Sequence, residues 1–297
     1  MSNYKQSTTN NLKYFKSLLN IENLPTDLKV STITLTCKFN THFDTVNIGK
    51  YIDMSPNDIF YVKYGDNPGE LREIPGVMKK LIRKKKKKKK GKKSFFNQVS
   101  ISIKFTEKSK ATVKIFKNGS IHIAGCKSPQ NLINILEIIC DRLSKIKAII
   151  DPVTMNKIIS KPFATKPENI TMTKIFNFKI RLINTNFTIG FQINREKLYK
   201  LLLRKRIECT YEPCVHACVN IKFMSGNGTK ISIFVFESGS IIITGAKKGE
   251  CVIEAYKYIT TILCENYEEI VLNSVCTLFS IDDVIDIDKL IKSLTSE

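Results

Sequence analysis

No stretch of this 297-residue chain reaches eighteen consecutive apolar residues, and its start, Met1-Ser2-Asn3-Tyr4-Lys5, has no apolar core. A membrane-spanning helix and a secretory signal are therefore not expected, and the chain reads as intracellular and not secreted. Acidic residues are scarce, 27 against 48 Lys and Arg. They form no paired-carboxylate motif, and no Gly-rich loop closes on Gly-Lys-Ser/Thr, so the usual handles of hydrolysis and phosphoryl transfer are missing and no enzyme is expected. Nine cysteines, an odd number, are scattered along the chain with no Cys-x-x-Cys knuckle. That fits reduced, buried thiols better than a disulfide framework. Cys209, Cys214, His216 and Cys218 are close in sequence, but their spacing is that of strand neighbours and not of four ligands converging on zinc. Neither metal nor cofactor is expected.

The hydrophobic content, 42%, is enough for a real core, and the net charge of +21 draws polyanions, nucleic acid first. The architecture is set by an internal repeat. Lys114-Ile115-Phe116-Lys117-Asn118-Gly119-Ser120-Ile121-His122-Ile123-Ala124-Gly125-Cys126-Lys127 returns as Phe234-Val235-Phe236-Glu237-Ser238-Gly239-Ser240-Ile241-Ile242-Ile243-Thr244-Gly245-Ala246-Lys247, offset by 120 residues.

Each copy opens with an alternating strand, 30–36 and 178–184, followed by a helix near 43–52 and 196–204. A strand pair then turns at Gly119 or Gly239, and a long helix closes the unit. In the first copy Ser128 caps that helix, Pro129 starts it, and Leu132, Ile135, Leu136, Ile139 and Leu143 form its apolar stripe. In the second, Val252, Ala255, Tyr256, Ile259 and Leu263 do so. The class is α+β, with helices on one face of an antiparallel sheet. Asn118-Gly119-Ser120 and Asn227-Gly228-Thr229 read as turns, not glycosylation sites.

The opening strands read as about 154 residues apart, which leaves the first copy roughly 34 residues longer than the second between first helix and second strand. The boundaries expected are an extension over 1–25, a first repeat over 26–150 with a basic loop insertion at about 55–94, a linker over 151–167, a second repeat over 168–264 and an acidic tail over 265–297. The insertion ends in the run Arg83 to Lys93, whose like charges repel too strongly to pack.

In this order the motifs resemble those of the TATA-binding protein family. The stretches concerned are Val30-Ser31-Thr32-Ile33, Cys37-Lys38, Lys114-Ile115-Phe116, Gly125-Cys126-Lys127-Ser128, Phe178-Lys179-Ile180, Tyr211-Glu212-Pro213 and Val235-Phe236 through Lys247. The resemblance implies two pseudo-symmetric repeats joined in one curved antiparallel sheet, a saddle with helices on its convex face. It implies a monomeric initiation factor that binds and bends A·T-rich duplex DNA through the minor groove. The family is itself the type example of apolar wedges inserted between base steps, so this geometry is the family's and not a deduction from composition.

Carried over by position, the second wedge of each pair is Phe116 and Phe236. The first is Phe96 in one copy and His216 in the other, a departure toward polarity. Groove-floor contacts map to Val30, Thr32, His122 and Ala124, and to Asn184, Asn186, Ile242 and Thr244. Small and β-branched groups there suit the flat minor-groove edge of A·T pairs. The family's two central asparagines map to Leu28 and Leu182, which removes the usual central hydrogen bonds. Phosphate contacts map to Lys104, Lys110 and Lys127, and to Lys222, Lys230 and Lys247. Glu212 and Val215 stand where the family offers a surface to a transcription factor IIB-like protein, with RNA polymerase machinery beyond it.

The lysine run reads as a nonspecific tether or a nuclear import signal. An alternative is a packaging or RNA-binding protein reusing the same fold, with the run supplying most of the affinity. Lys-, Ile- and Asn-rich usage fits an A·T-rich genome such as that of a large DNA virus, and places the protein in a nucleus, a viral replication compartment or a virion.

Overall fold

The computed structural model describes residues 13–65, 69–77, 97–106, 109–150 and 157–272. Phe96, the lysine run and the acidic tail beyond 272 lie outside the described residues. Contacts divide the chain into two compact units, one of residues up to Leu19 with Thr32–Arg181, the other of Asn20–Ser31 with the residues from Leu182 on.

In the first unit β1 (Lys29–Lys38), β2 (Ile59–Tyr64), β3 (Glu70–Glu73), β4 (Gln98–Thr106), β5 (Ser109–Phe116) and β6 (Ser120–Cys126) lie in the antiparallel order β1-β6-β5-β4-β2-β3. Alternation along each strand sends Leu35, Ile101, Val113, Ile115, Ile121 and Ile123 to one face, where all are fully buried. Helices cover that face. A helix over 13–19 (α1) buries Phe15 and Leu19, and the Phe15 ring meets Phe178 edge-on at 5.1 Å. α2 (Thr45–Tyr51) is capped by Asp44, whose carboxylate accepts from the Val46 and Asn47 amides, and packs on β2 and β4. α3 (Pro129–Leu143) starts as expected, with Ser128 Oγ accepting from the Asn131 amide at 3.2 Å and Pro129 at its first position. Its whole expected stripe is buried against β4 and β6. A separate hairpin, β7 (Ile146–Ile150) and β8 (Ile158–Pro162), follows.

The second unit repeats this plan. β9 (Phe176–Thr188), β10 (Cys209–Thr210), β11 (Cys218–Met224), β12 (Lys230–Phe236) and β13 (Ser240–Ala246) lie in the order β10-β11-β12-β13-β9. α4 (Arg195–Arg204), capped by Asn194, packs on β10 and β11. α5 (Gly249–Glu265) packs on β12 and β13 and buries Val252, Ala255, Tyr256, Ile259 and Leu263 as its spacing requires. The short α6 (Tyr267–Ile270) rests on α4 and α5. Residues 20–31 belong here: Asn20 donates to Glu250 at 2.7 Å, and the Tyr256 hydroxyl donates to Asp27 at 2.9 Å.

Both repeated hairpin glycines are structural. Gly119 and Gly239 turn at φ +85° and +78°, and a Cβ on either would sit 2.4 Å from the Phe39 carbonyl oxygen or 2.2 Å from that of Phe191. Gly125 and Gly245, also at positive φ, lie at the register shifts of β6 on β1 and of β13 on β9. The repeated pair of glycines six residues apart, Gly119 with Gly125 and Gly239 with Gly245, thus encodes a turn and a bulge.

Three sequence expectations change. Lys38 pairs with Ser120 as Thr188 pairs with Ser240, so equivalent positions on the opening strands are 150 residues apart, not 154, and the first repeat is longer by 30. The interval 55–94 is more than a loop insertion, because Ile59–Tyr64 forms β2, buried on alternate residues and paired with β3 and β4. Aromatic and β-branched residues outweigh the Pro and Gly punctuation there. The span 151–167 is likewise more than a linker, since β8 pairs with β7 across it.

Candidate nucleic-acid interface

The face of each sheet opposite the helices is free of helix contacts; in the first unit it carries mainly polar and basic side chains, and in the second it mixes polar groups with Phe234 and Ile242. In the first unit, pairings set Lys63, Ser100, Lys114, His122 and Thr36 in one row across five strands, all half-buried. A second row runs Tyr61, Ser102, Thr112, Ala124 and Thr34. In the second unit the matching rows are Asn220, Phe234, Ile242 and Asn186, and Lys222, Ser232 and Thr244. The Thr244 hydroxyl donates to Asn184, which ties β13 to β9 on this face.

Phe116 and Phe236 end β5 and β12 just before the glycine turns. They pair with Gln98 and Cys218, are only half-buried, and stand on the same face as these rows. His216 is exposed, in the turn before β11, where its amide donates to the Glu212 carbonyl at 2.8 Å. It lines a cavity of about 170 Å³ with Glu212, Cys218, Asn220 and Phe234. His122 and Ala124 lie on the open face of β6. Its neighbours hold His122 below the ordinary imidazole range, through burial first and then Lys114 and Arg181. It is therefore neutral at pH 7 and has one ring nitrogen able to accept a hydrogen bond.

Registers redraw the groove-floor pairing between copies. Asn184 and Asn186 correspond to Thr34 and Thr36, while Val30 and Thr32 lie earlier on β1 and are half-buried. Sequence reasoning missed Thr34, Thr36, Lys114 and Phe234 on this face. Strict period-two alternation counted outward from Phe116 and Phe236 would have found the last two. Leu28 is buried at 5% exposure in the second unit, so it presents nothing to a ligand, and Leu182 is half-buried.

Of the six lysines, Lys127, Lys222, Lys230 and Lys247 are exposed, while Lys104 and Lys110 face each other across β4 and β5 and are half-buried. Lys222 Nζ also donates to Ser232 Oγ at 2.9 Å. Lys110, second residue of β5, and Lys230, first of β12, lie under the Gly125 and Gly245 bulges, with their carbonyl oxygens 2.7 and 3.0 Å from where a Cβ would stand.

Around Glu212 and Val215, Arg195 organises the loop. Its guanidinium pairs with Glu237 at 2.6 Å, donates to the Ala217 carbonyl at 3.0 Å and lies 5.7 Å from the Tyr211 ring centre. Val215 is left 65% exposed. The Cys37, Cys126 and Cys140 thiols are buried, and burial pushes each up to about 12, so they remain neutral packing groups. Among the described residues, no three His, Cys, Asp or Glu side chains are grouped to hold a metal, and no helix is long and apolar enough to cross a membrane.

The family model for transcription factor TFIID (or TATA-binding protein, TBP) matches residues 81–146 and 167–266. A TATA-box-binding protein-like protein of Acanthamoeba polyphaga mimivirus is 35% identical over 270 residues, covering 86% of this chain and 69% of that protein. TATA-box-binding protein 2 of Entamoeba histolytica is 29% identical over 161 residues, 54% of this chain and 70% of the relative. Among solved structures, Methanococcus jannaschii TBP aligns with a TM-score of 0.46 and 17% identity over 80% of this chain and 99% of that one. The chain belongs to the TATA-binding protein family. The family is one of transcription factors and is non-enzymatic.

Proposed function

We propose that this chain is an initiation factor that lays the helix-free face of each unit into the minor groove of A·T-rich duplex DNA and bends it. The observation that carries this reading is the placement of Phe116 and Phe236. In both units a half-buried phenyl ring ends a strand on the face no helix covers, beside rows of small polar, amide and basic groups. A half-buried ring on that face keeps an exposed edge that can enter a base step. Unstacking a step costs on the order of a few kcal/mol, offset by the larger contact a bent duplex allows. Lys127 and Lys247, exposed just beyond each bulge, supply phosphate contacts. The exposed Glu212 and Val215 serve as docking points for a transcription factor IIB-like protein, and the working compartment is a nucleus or a viral replication site.

The test is fluorescence-detected bending of A·T-rich duplexes by full-length protein and by Phe116→Ala combined with Phe236→Ala. The double variant is expected to encounter DNA at a nearly unchanged rate and to lose most of the bend, with affinity down about 100-fold. Equal bending by both proteins would refute the reading.

A further inference from the structure

The two units present the same row of positions with opposite chemistry at its centre. Lys114 and His122, cross-strand neighbours in the first unit, occupy the places of Phe234 and Ile242 in the second. Around them the first row adds Lys63, Ser100 and Thr36. Thr36 is itself engaged by Arg181, whose Nε donates to the Thr36 hydroxyl at 2.9 Å. Between the asparagines at its ends, the second row presents only a phenyl ring and a branched alkyl group.

In the minor groove A·T and T·A pairs offer only acceptors, and a G·C pair adds one donor, the guanine amino group. Against Phe234 and Ile242 that amino group loses its water and meets no acceptor, which leaves an unsatisfied buried donor. Opposite His122 it meets a ring nitrogen that can accept. We infer that His122 is a specificity-determining residue that lets the first unit accept a G·C pair, while the second unit requires A·T. The inference rests on the minor-groove reading and adds to it a direction: the bound site is unlike at its two ends. Lys114 supports the assignment, because a cation beside His122 favours the neutral, accepting ring.

The experiment is equilibrium binding of the full-length protein, wild type and His122→Val, to a set of duplexes. Each carries one G·C or one inosine·C pair in an otherwise A·T site, stepped along its length. Inosine·C keeps the guanine shape without the amino group. The wild type is expected to lose less than about threefold for G·C at one position or two in one half-site, and about tenfold or more in the other, where inosine restores binding. His122→Val is expected to bind the duplex with G·C at the tolerant position about tenfold more weakly than its own all-A·T duplex, a loss again relieved by inosine. Lys114→Leu is expected to narrow the tolerance without removing it. A wild type penalised equally in both halves, or a His122→Val profile superimposable on that of the wild type, overturns the inference and leaves groove binding intact. Tight binding that ignores G·C and inosine everywhere, with no bend, overturns both.

Discussion

The two units share a plan and differ in what surrounds it. After its long helix the first unit inserts the β7–β8 hairpin before residues 163–165 return to the loop at His42–Asp44; the second returns directly through α6. The returning bonds are the same in both: the Asp44 amide donates to the Phe163 carbonyl at 2.9 Å, the Asn194 amide to that of Ile270 at 2.7 Å. At the outer edge the first sheet ends in β2 and β3, the second in the two-residue β10. The buried faces are near copies, while the open faces are not. Packing against helices favours well-fitting, mostly apolar groups, which keeps that face close to one pattern and leaves the other free to differ.

The sharpest way to break this equivalence is at the hairpins. Gly119→Ala and Gly239→Ala each force a side chain into a left-handed turn and into a carbonyl oxygen, and each is expected to lower stability by about 3 kcal/mol, read as the urea midpoint. A much smaller loss in one would show that the units do not share the turn. A smaller effect should separate them: Arg195→Ala frees the Ala217 carbonyl and Glu237, and the local opening of 209–218 is expected to become about tenfold more frequent by hydrogen exchange. Smallest, Lys127→Gln and Lys247→Gln should each reduce the slope of log affinity against log salt by about 0.9, with little change in sequence preference. Unequal reductions would show that one unit carries the electrostatic contact.

Much of the fold is legible in the chain itself. The α3 and α5 stripes, the Ser128 cap, the Gly119 and Gly239 turns and the α+β class follow from spacing and turn chemistry within a few residues. β2 is hidden by nearby Pro and Gly although its own residues suit a strand, and β8 by its place between prolines; pairing with β3 and β4, and with β7, decides both. Phe116 and Phe236 are legible as a repeated motif. Lys114 and Phe234 are not, since a lysine in one copy and a phenylalanine in the other hide an equivalence that only the register exposes.

The sequence by itself determined a duplicated α+β unit, its turn glycines and its basic character, because short-range periodicity, left-handed backbone needs and summed charge are properties of the chain alone. Tertiary structure decided which sheet face the helices cover, the 150-residue correspondence of the opening strands, and the assignment of residues 20–31 to the second unit. Strand pairing and helix docking join residues far apart in the chain, and no local pattern specifies that choice.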